Sequence, residues 1–228
     1  LSKLLQLSFE FQSTNNPDPF CEENFLFLEE NLAAVNFLKK FFIQDAFYQG
    51  QFPSLIIRGA RASGKTHLLH IFAGKFHAEF IDQKAISAVN LAGFFLAQQF
   101  YILENIDKIK DEELLLRLIN SAAEAKAFLI LTVRDKPQFN LLDLTSRLKN
   151  IFTVEIKNPG CESIKQLLTN NLSRRQIKLS RSIINFIAAN ISSNYETVLM
   201  TAKMIELYCR ENGRNLTVRE AKIMFKKS

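Results

Sequence analysis

The octapeptide GARASGKT, residues 59–66, most constrains how this chain can fold. It matches the spacing Gly-x4-Gly-Lys-Thr. In that pattern glycines let successive backbone N–H groups wrap a phosphate, and the lysine reaches the β- and γ-phosphates. The geometry needs a strand running in and a helix running out, and both are legible. SLIIRG (54–59) is a short β-rich run after Pro53, and GKTHLLHIFAGKF (64–76) reads as a helix. The helix aims its positive end at the anion. Gly59, Ser63, Gly64, Lys65, Thr66 and His67 are therefore candidate nucleotide-binding residues, with the Thr66 hydroxyl a candidate Mg2+ ligand. His67 and His70 stand at i and i+3 without a third ligand or an HExxH pattern, so packing or a nucleotide contact suits them better than a metal.

Further strands are expected at AEFID (78–82), QFYILE (99–104), AFLILTV (127–133) and FTVEI (152–156). Helical spacing recurs over 30–47 and over 111–125, the latter with acids in its first turn, as the dipole prefers. Strands alternating with helices imply an α/β fold, a parallel five-stranded sheet with helices on both faces. Beyond Pro159 the pattern is all helical, roughly 161–173, 181–190, 195–211 and 217–226. The expected division is an N-terminal arm (1–22) containing the turn-rich STNNPDPF, a nucleotide-binding αβα domain (23–157), and a small helical domain (158–228) hinged near 157–160.

The chain has 228 residues, 47% apolar and 23% charged, enough for a globular core. Its net charge of +6 permits contact with nucleic acid or an acidic protein without demanding it. Three dispersed cysteines form no disulfide framework or metal spacing, which suits a reducing cytoplasm. LSKLLQLSFEF is interrupted too soon for a signal peptide, and the apolar run near 91–104 is too short to span a membrane. The expectation is a cytoplasmic protein with no membrane partner.

YILENID (101–107) reads as a buried strand ending in an acid, making Glu104 the second candidate Mg2+ ligand. The next residue is Asn105. An amide can hold a water but has no basic oxygen to take its proton, so weak or absent intrinsic hydrolysis is expected. Asp107 would face the opposite side if the strand continued.

These residues together resemble a known family. GARASGKTHLLH is similar to the phosphate loop of the AAA+ P-loop NTPase module of the bacterial replication initiator DnaA. NFLFLEENLAAV (24–35) looks like that family's segment beside the adenine, and YILENID occupies the Walker B position. LILTVRDKP (129–137) resembles the sensor 1 strand, and LLDLTSRLKN (141–150) the arginine-finger box centred on Arg147. Three features point to the DnaA-related regulators of the Hda type: the sequence given ends after the helical lid, an acid is followed by Asn-Ile, and QLSFEF stands at 6–11.

QLSFEF resembles the Q-L-[SD]-L-[FL] peptide that docks on the DNA polymerase sliding clamp, departing from it at Phe9 and Glu10. Gln6 would hydrogen-bond at the groove edge while Leu7, Phe9 and Phe11 insert, each anchor contributing about 1.5–3 kcal/mol before ordering costs. An edge strand is the alternative reading of the same alternation.

The resemblance implies ADP or ATP with Mg2+ as cofactors, and the clamp and DnaA as partners. It implies only indirect or non-specific DNA contact, and self-association is possible. Arg147 would act in trans on DnaA-bound ATP in the regulation of replication initiation. One departure concerns the lid. No Arg or Lys occurs from 182 to 202, and Glu196 falls where one alignment places a phosphate-reaching arginine, which favours ADP or weak binding. The alternatives are an active P-loop ATPase such as a helicase loader, a nucleotide-independent binding scaffold, and a diverged paralogue with another partner.

Overall fold

Five parallel strands assemble as expected, buried at the centre of the sheet and exposed toward its edges. They are β1 (Ser54–Gly59), β2 (Glu79–Phe80), β3 (Phe100–Leu103), β4 (Phe128–Val133) and β5 (Phe152–Ile156). The computed structural model describes residues 20–42, 54–83, 91, 93–134 and 138–225. The strand order is β2-β3-β4-β1-β5, every pair parallel, with Ile56 opposite Leu131 on one side and Thr153 on the other. The strand carrying the phosphate loop is thus interior to the sheet, and its carboxyl end opens onto the site.

Alternation along β1 sorts the core into two layers. Leu55 and Ile57 join Leu38 and Phe41 of α1 (Glu29–Phe42) and Leu68 and Leu69 of α2 (Lys65–Phe76). Ile56 joins the opposite layer with Leu115 and Leu118 of α3 (Glu112–Glu124) and Leu144 and Leu148 of α4 (Leu142–Lys149). Each such buried side chain stabilises the fold by about 1.5–3 kcal/mol. Phe100 and Phe128, partners across β3 and β4, stack with ring centroids 4.6 Å apart. Asp111 caps α3 by accepting from Leu114 N at 2.9 Å.

The C-terminal helices α5 (Cys161–Arg174), α6 (Arg181–Asn190), α7 (Tyr195–Asn212) and α8 (Val218–Phe225) enclose an apolar cluster of their own, including Leu168, Ile187, Ala202 and Phe225. Gly213, at φ 63°, turns the chain out of α7. Thr217 and Glu220 cap α8 reciprocally, Thr217 N donating to Glu220 Oε2 at 2.9 Å and Glu220 N to Thr217 Oγ1 at 3.4 Å. None of the described helices is long and apolar enough to cross a membrane.

Side-chain anchors fix these helices to the sheet domain. Tyr195 packs in the β1–α1–α2 core and donates its hydroxyl to Lys157 O at 3.0 Å. Glu30 accepts from Gly160 N and from Ser163 Oγ, each at 2.6 Å. Burial pushes the Glu30 carboxyl up, but the bonds from Ser163 and Gly160 outweigh it and leave it below its ordinary value. A depressed carboxyl stabilises the fold above its unfolded pKa, and that contribution disappears as pH falls through the folded value. Urea midpoints should therefore drop between pH 7 and pH 3.5, and Glu30→Gln should narrow the drop.

Several expectations shift at their edges. The first helix begins at Glu29, and its expected extension over 43–47 lies outside the described residues. The second strand shortens to Glu79–Phe80, although Ile81 N still donates to Ile102 O at 2.8 Å. The third stops at Leu103, so Asp107 is not on a continued strand. It lies in the middle of a 3-10 helix spanning Ile106–Lys108.

Candidate functional site

The phosphate loop is drawn tight by its own lysine. Lys65, 7% exposed, donates from Nζ to Gly59 O at 2.6 Å, Ala60 O at 2.9 Å and Ser63 Oγ at 3.4 Å. Gly64 sits at φ +88°, where a side chain would be strained, and a Cβ there would lie 3.3 Å from the Phe25 ring. At Gly59 a Cβ would meet Ser63 Oγ at 2.8 Å. The glycines are thus required by the backbone path, which sets the first turn of α2 as an anion cradle.

Thr66 and Glu104, 38 residues apart in sequence, meet here. Thr66 Oγ1 donates to Glu104 Oε1 at 2.6 Å. Two oxygens of an octahedral Mg2+ site with bonds of 2.0–2.1 Å stand about 2.9 Å apart, so this hydroxyl and carboxylate fit that ion with little movement. The donor set suits it too: Mg2+ takes one or two carboxylates and completes its shell with water and phosphate oxygens.

Beside the loop lies a cavity of about 170 Å³. Its walls include Phe25 and Leu28 ahead of α1, Gly64 and His67 of the loop and α2, Asn171 of α5 and Tyr195 of α7. His67 Nε2–H donates to Cys21 O at 2.9 Å, and its ring meets Phe25 edge-on with centroids 5.2 Å apart. It therefore ties the N-terminal segment to the loop. His70 stacks on Phe20 and Phe80, at 4.2 and 4.4 Å. Asn31 was not anticipated. Buried at 3%, it accepts from Leu28 N at 3.0 Å and donates to Leu26 O at 2.9 Å, folding that segment into the cavity wall. A lone amide in the apolar stripe of α1 was its one signal in the sequence.

No family model matches the chain. Among curated proteins, the chromosomal replication initiator DnaA of Buchnera aphidicola subsp. Cinara cedri is 24% identical over 199 residues, covering 76% of this chain and 45% of that protein. The fold superposes on domain III of the Thermotoga maritima replication initiation protein DnaA with a TM-score of 0.70 and 18% identity, covering 92% of this chain and 97% of that one. The fold is that of a DnaA-like AAA+ module, a parallel five-stranded sheet with flanking helices and a C-terminal helical region. The Holliday junction branch migration motor RuvB of Thermotoga maritima shares the AAA+ fold, with a TM-score of 0.64 and 15% identity over 89% of this chain and 70% of that one. The chain spans less than half the length of the curated DnaA relatives it matches.

In this DnaA-like module the segment after Glu104 turns sharply. Asn105 adopts the left-handed conformation at φ 52°, ψ 52°, which Asn tolerates better than most residues. Its N–H donates to Thr132 Oγ1 at 2.8 Å, and Asp107 Oδ1 accepts from Arg134 N at 3.3 Å. Asp107 thus holds the loop after β4. Arg147 is half-buried on α4, on the other layer of the fold, and among the described residues none of α4 lines the cavity. Glu196 stands in the first turn of α7 and pairs with Arg61 of the phosphate loop at 3.2 Å. Gln6, Leu7, Phe9 and Phe11 lie outside the described residues, as does Pro137 of the sensor turn.

Proposed function

We propose that the chain is a DnaA-related AAA+ regulator of chromosome replication initiation, of the Hda type. It would hold nucleotide in its own site and act on the nucleotide of a partner. The observation carrying this reading is the asymmetry around Glu104. Lys65 closes on the loop and Thr66 meets Glu104, which supports reading the three as a phosphate- and Mg2+-holding set. The adjacent position then turns left-handed as Asn105, an amide with no basic oxygen. Such a site suits retention of a nucleotide, with ADP favoured, more than its turnover.

Bound Mg2+–nucleotide would supply charge that organises the loop. Lys65 would bind the phosphates, Thr66 and Glu104 would orient the metal shell, and Phe25 and His67 would exclude water from the neighbouring cavity. The catalytic contribution would come from Arg147, neutralising charge on a phosphoryl group being transferred in DnaA. An arginine finger supplies 10³–10⁵ in rate in related phosphoryl transfers. Gln6, Leu7, Phe9 and Phe11 would tether the module to the sliding clamp in the cytoplasm, with the +6 net charge aiding non-specific attraction to DNA.

The test is hydrolysis of ATP pre-bound to the cognate DnaA in the presence of clamp-loaded DNA. The intact chain should stimulate it. Arg147→Ala should remove the stimulation by on the order of 10³-fold, and deletion of residues 6–11 should remove its dependence on the clamp. Rapid ATP turnover by the chain alone, without stimulation of DnaA, would instead support a motor or helicase loader.

A further inference from the structure

We infer that Arg61 is a phosphate-binding residue of this site, held by Glu196 until the terminal phosphate of a nucleoside triphosphate displaces that carboxylate. The inference rests on the nucleotide-holding part of the proposed function.

Arg61 is the third residue of the loop, and Glu196 is the second residue of α7. Arg61 NH1 and Glu196 Oε1 are 3.2 Å apart. Ala62, Ser63 and Gly64, which follow Arg61, line the 170 Å³ cavity, as do Tyr195 and Leu199, on either side of Glu196. The ion pair therefore links the phosphate loop to the start of α7 beside that cavity.

The energetics suit an exchange. The two side chains are 67% and 47% exposed, and pairs this wet contribute little to stability. That is too weak to hold the helices, which Tyr195, Glu30 and Arg174 tie to the sheet domain. A phosphate carries more charge than a carboxylate and accepts two parallel bonds from one guanidinium, so it competes well for Arg61. The start of α7 offers no cation, because residues 182–202 contain no Lys or Arg, and Arg174 of α5, which lines the same cavity, donates to Asn24 O. Glu196 left unneutralised would repel the incoming anion. The freed carboxylate thus opposes the triphosphate, whose extra charge reaches farther along the loop than that of a diphosphate, in keeping with ADP as the favoured ligand.

The experiment measures binding of fluorescent ADP and of a non-hydrolysable ATP analogue with Mg2+, in the wild type, Arg61→Ala, Glu196→Gln, the double variant and Lys65→Ala. Hydrogen exchange of residues 195–203 is followed in parallel. Arg61→Ala should weaken the ATP analogue about five- to tenfold and ADP less than twofold. Glu196→Gln should tighten the analogue about threefold, and this gain should vanish in the double variant. Exchange in the first turns of α7 should rise when the wild type binds the analogue and not when it binds ADP. Unchanged affinities in both single variants, or a gain retained in the double variant, would overturn the role of Arg61. If Lys65→Ala still loses binding in that case, the nucleotide site stands without Arg61. Absence of binding by the wild type would overturn both.

Discussion

Lys65→Ala is expected to weaken ADP and ATP binding by about 100-fold or more while leaving the fold cooperative. Hydrogen bonds to a charged group contribute about 1.5–3 kcal/mol each, and 2.7 kcal/mol is about 100-fold in affinity. Lys65 is 7% exposed and its Nζ is placed by Gly59 O, Ala60 O and Ser63 Oγ. The ammonium is therefore pre-positioned at the loop, and little ordering remains to oppose binding. Titration calorimetry with each nucleotide checks the affinity, and the cooperativity of urea unfolding checks the fold. Unaltered affinity would mean that the loop is a turn without a phosphate role, and would favour the scaffold reading.

Tyr195→Ala should cost about 3–5 kcal/mol, as deletion of a buried ring does. The ring is 4% exposed and packs in the core of the sheet domain although it belongs to a helix of the C-terminal region. Tyr195→Phe keeps that packing and loses the bond to Lys157 O, so about 0.5–1.5 kcal/mol is expected. Burial, and then the nearby Glu30 charge, pushes the phenol up to about 12 from an ordinary 10.0. A raised folded value means that its contribution is complete below pH 10 and is lost as pH rises through about 12. The alkaline limb of the wild-type stability profile should accordingly flatten in Tyr195→Phe. Urea melts of the three proteins across that range decide the matter.

The sheet was legible because its chemistry is local. Runs such as LII at 55–57 and LIL at 129–131 have no polar alternative to burial, and the phosphate loop is defined by spacing alone. The four C-terminal helices could be read from periodicity almost to the residue. Strand ends were less visible. QFYILE ends at Leu103 because Asn105 turns left-handed, a consequence of the bond from its N–H to Thr132, which belongs to another strand. The site was half legible. Lys65, Thr66 and Glu104 were picked out by type and order, and the structure sets Thr66 against Glu104. The partners of Glu30, Tyr195 and Glu196 were hidden, since each acts on chain distant in sequence and surface-type residues give no sign of which charge they will meet. Reading Glu196 as a missing cation identified the anomaly, and only the fold supplied Arg61.

The register between β1 and β5 sets Gly59 directly beside Ile156, so closely that a Cβ on Gly59 would stand 3.1 Å from that of Ile156. From Ile156, residues 157–160 lead straight into α5. The segment entering α5 and the base of the phosphate loop are thus joined through one strand pair. Close-packed interiors transmit displacement instead of absorbing it. A side chain added at Gly59 would thus press on the strand that leads into α5.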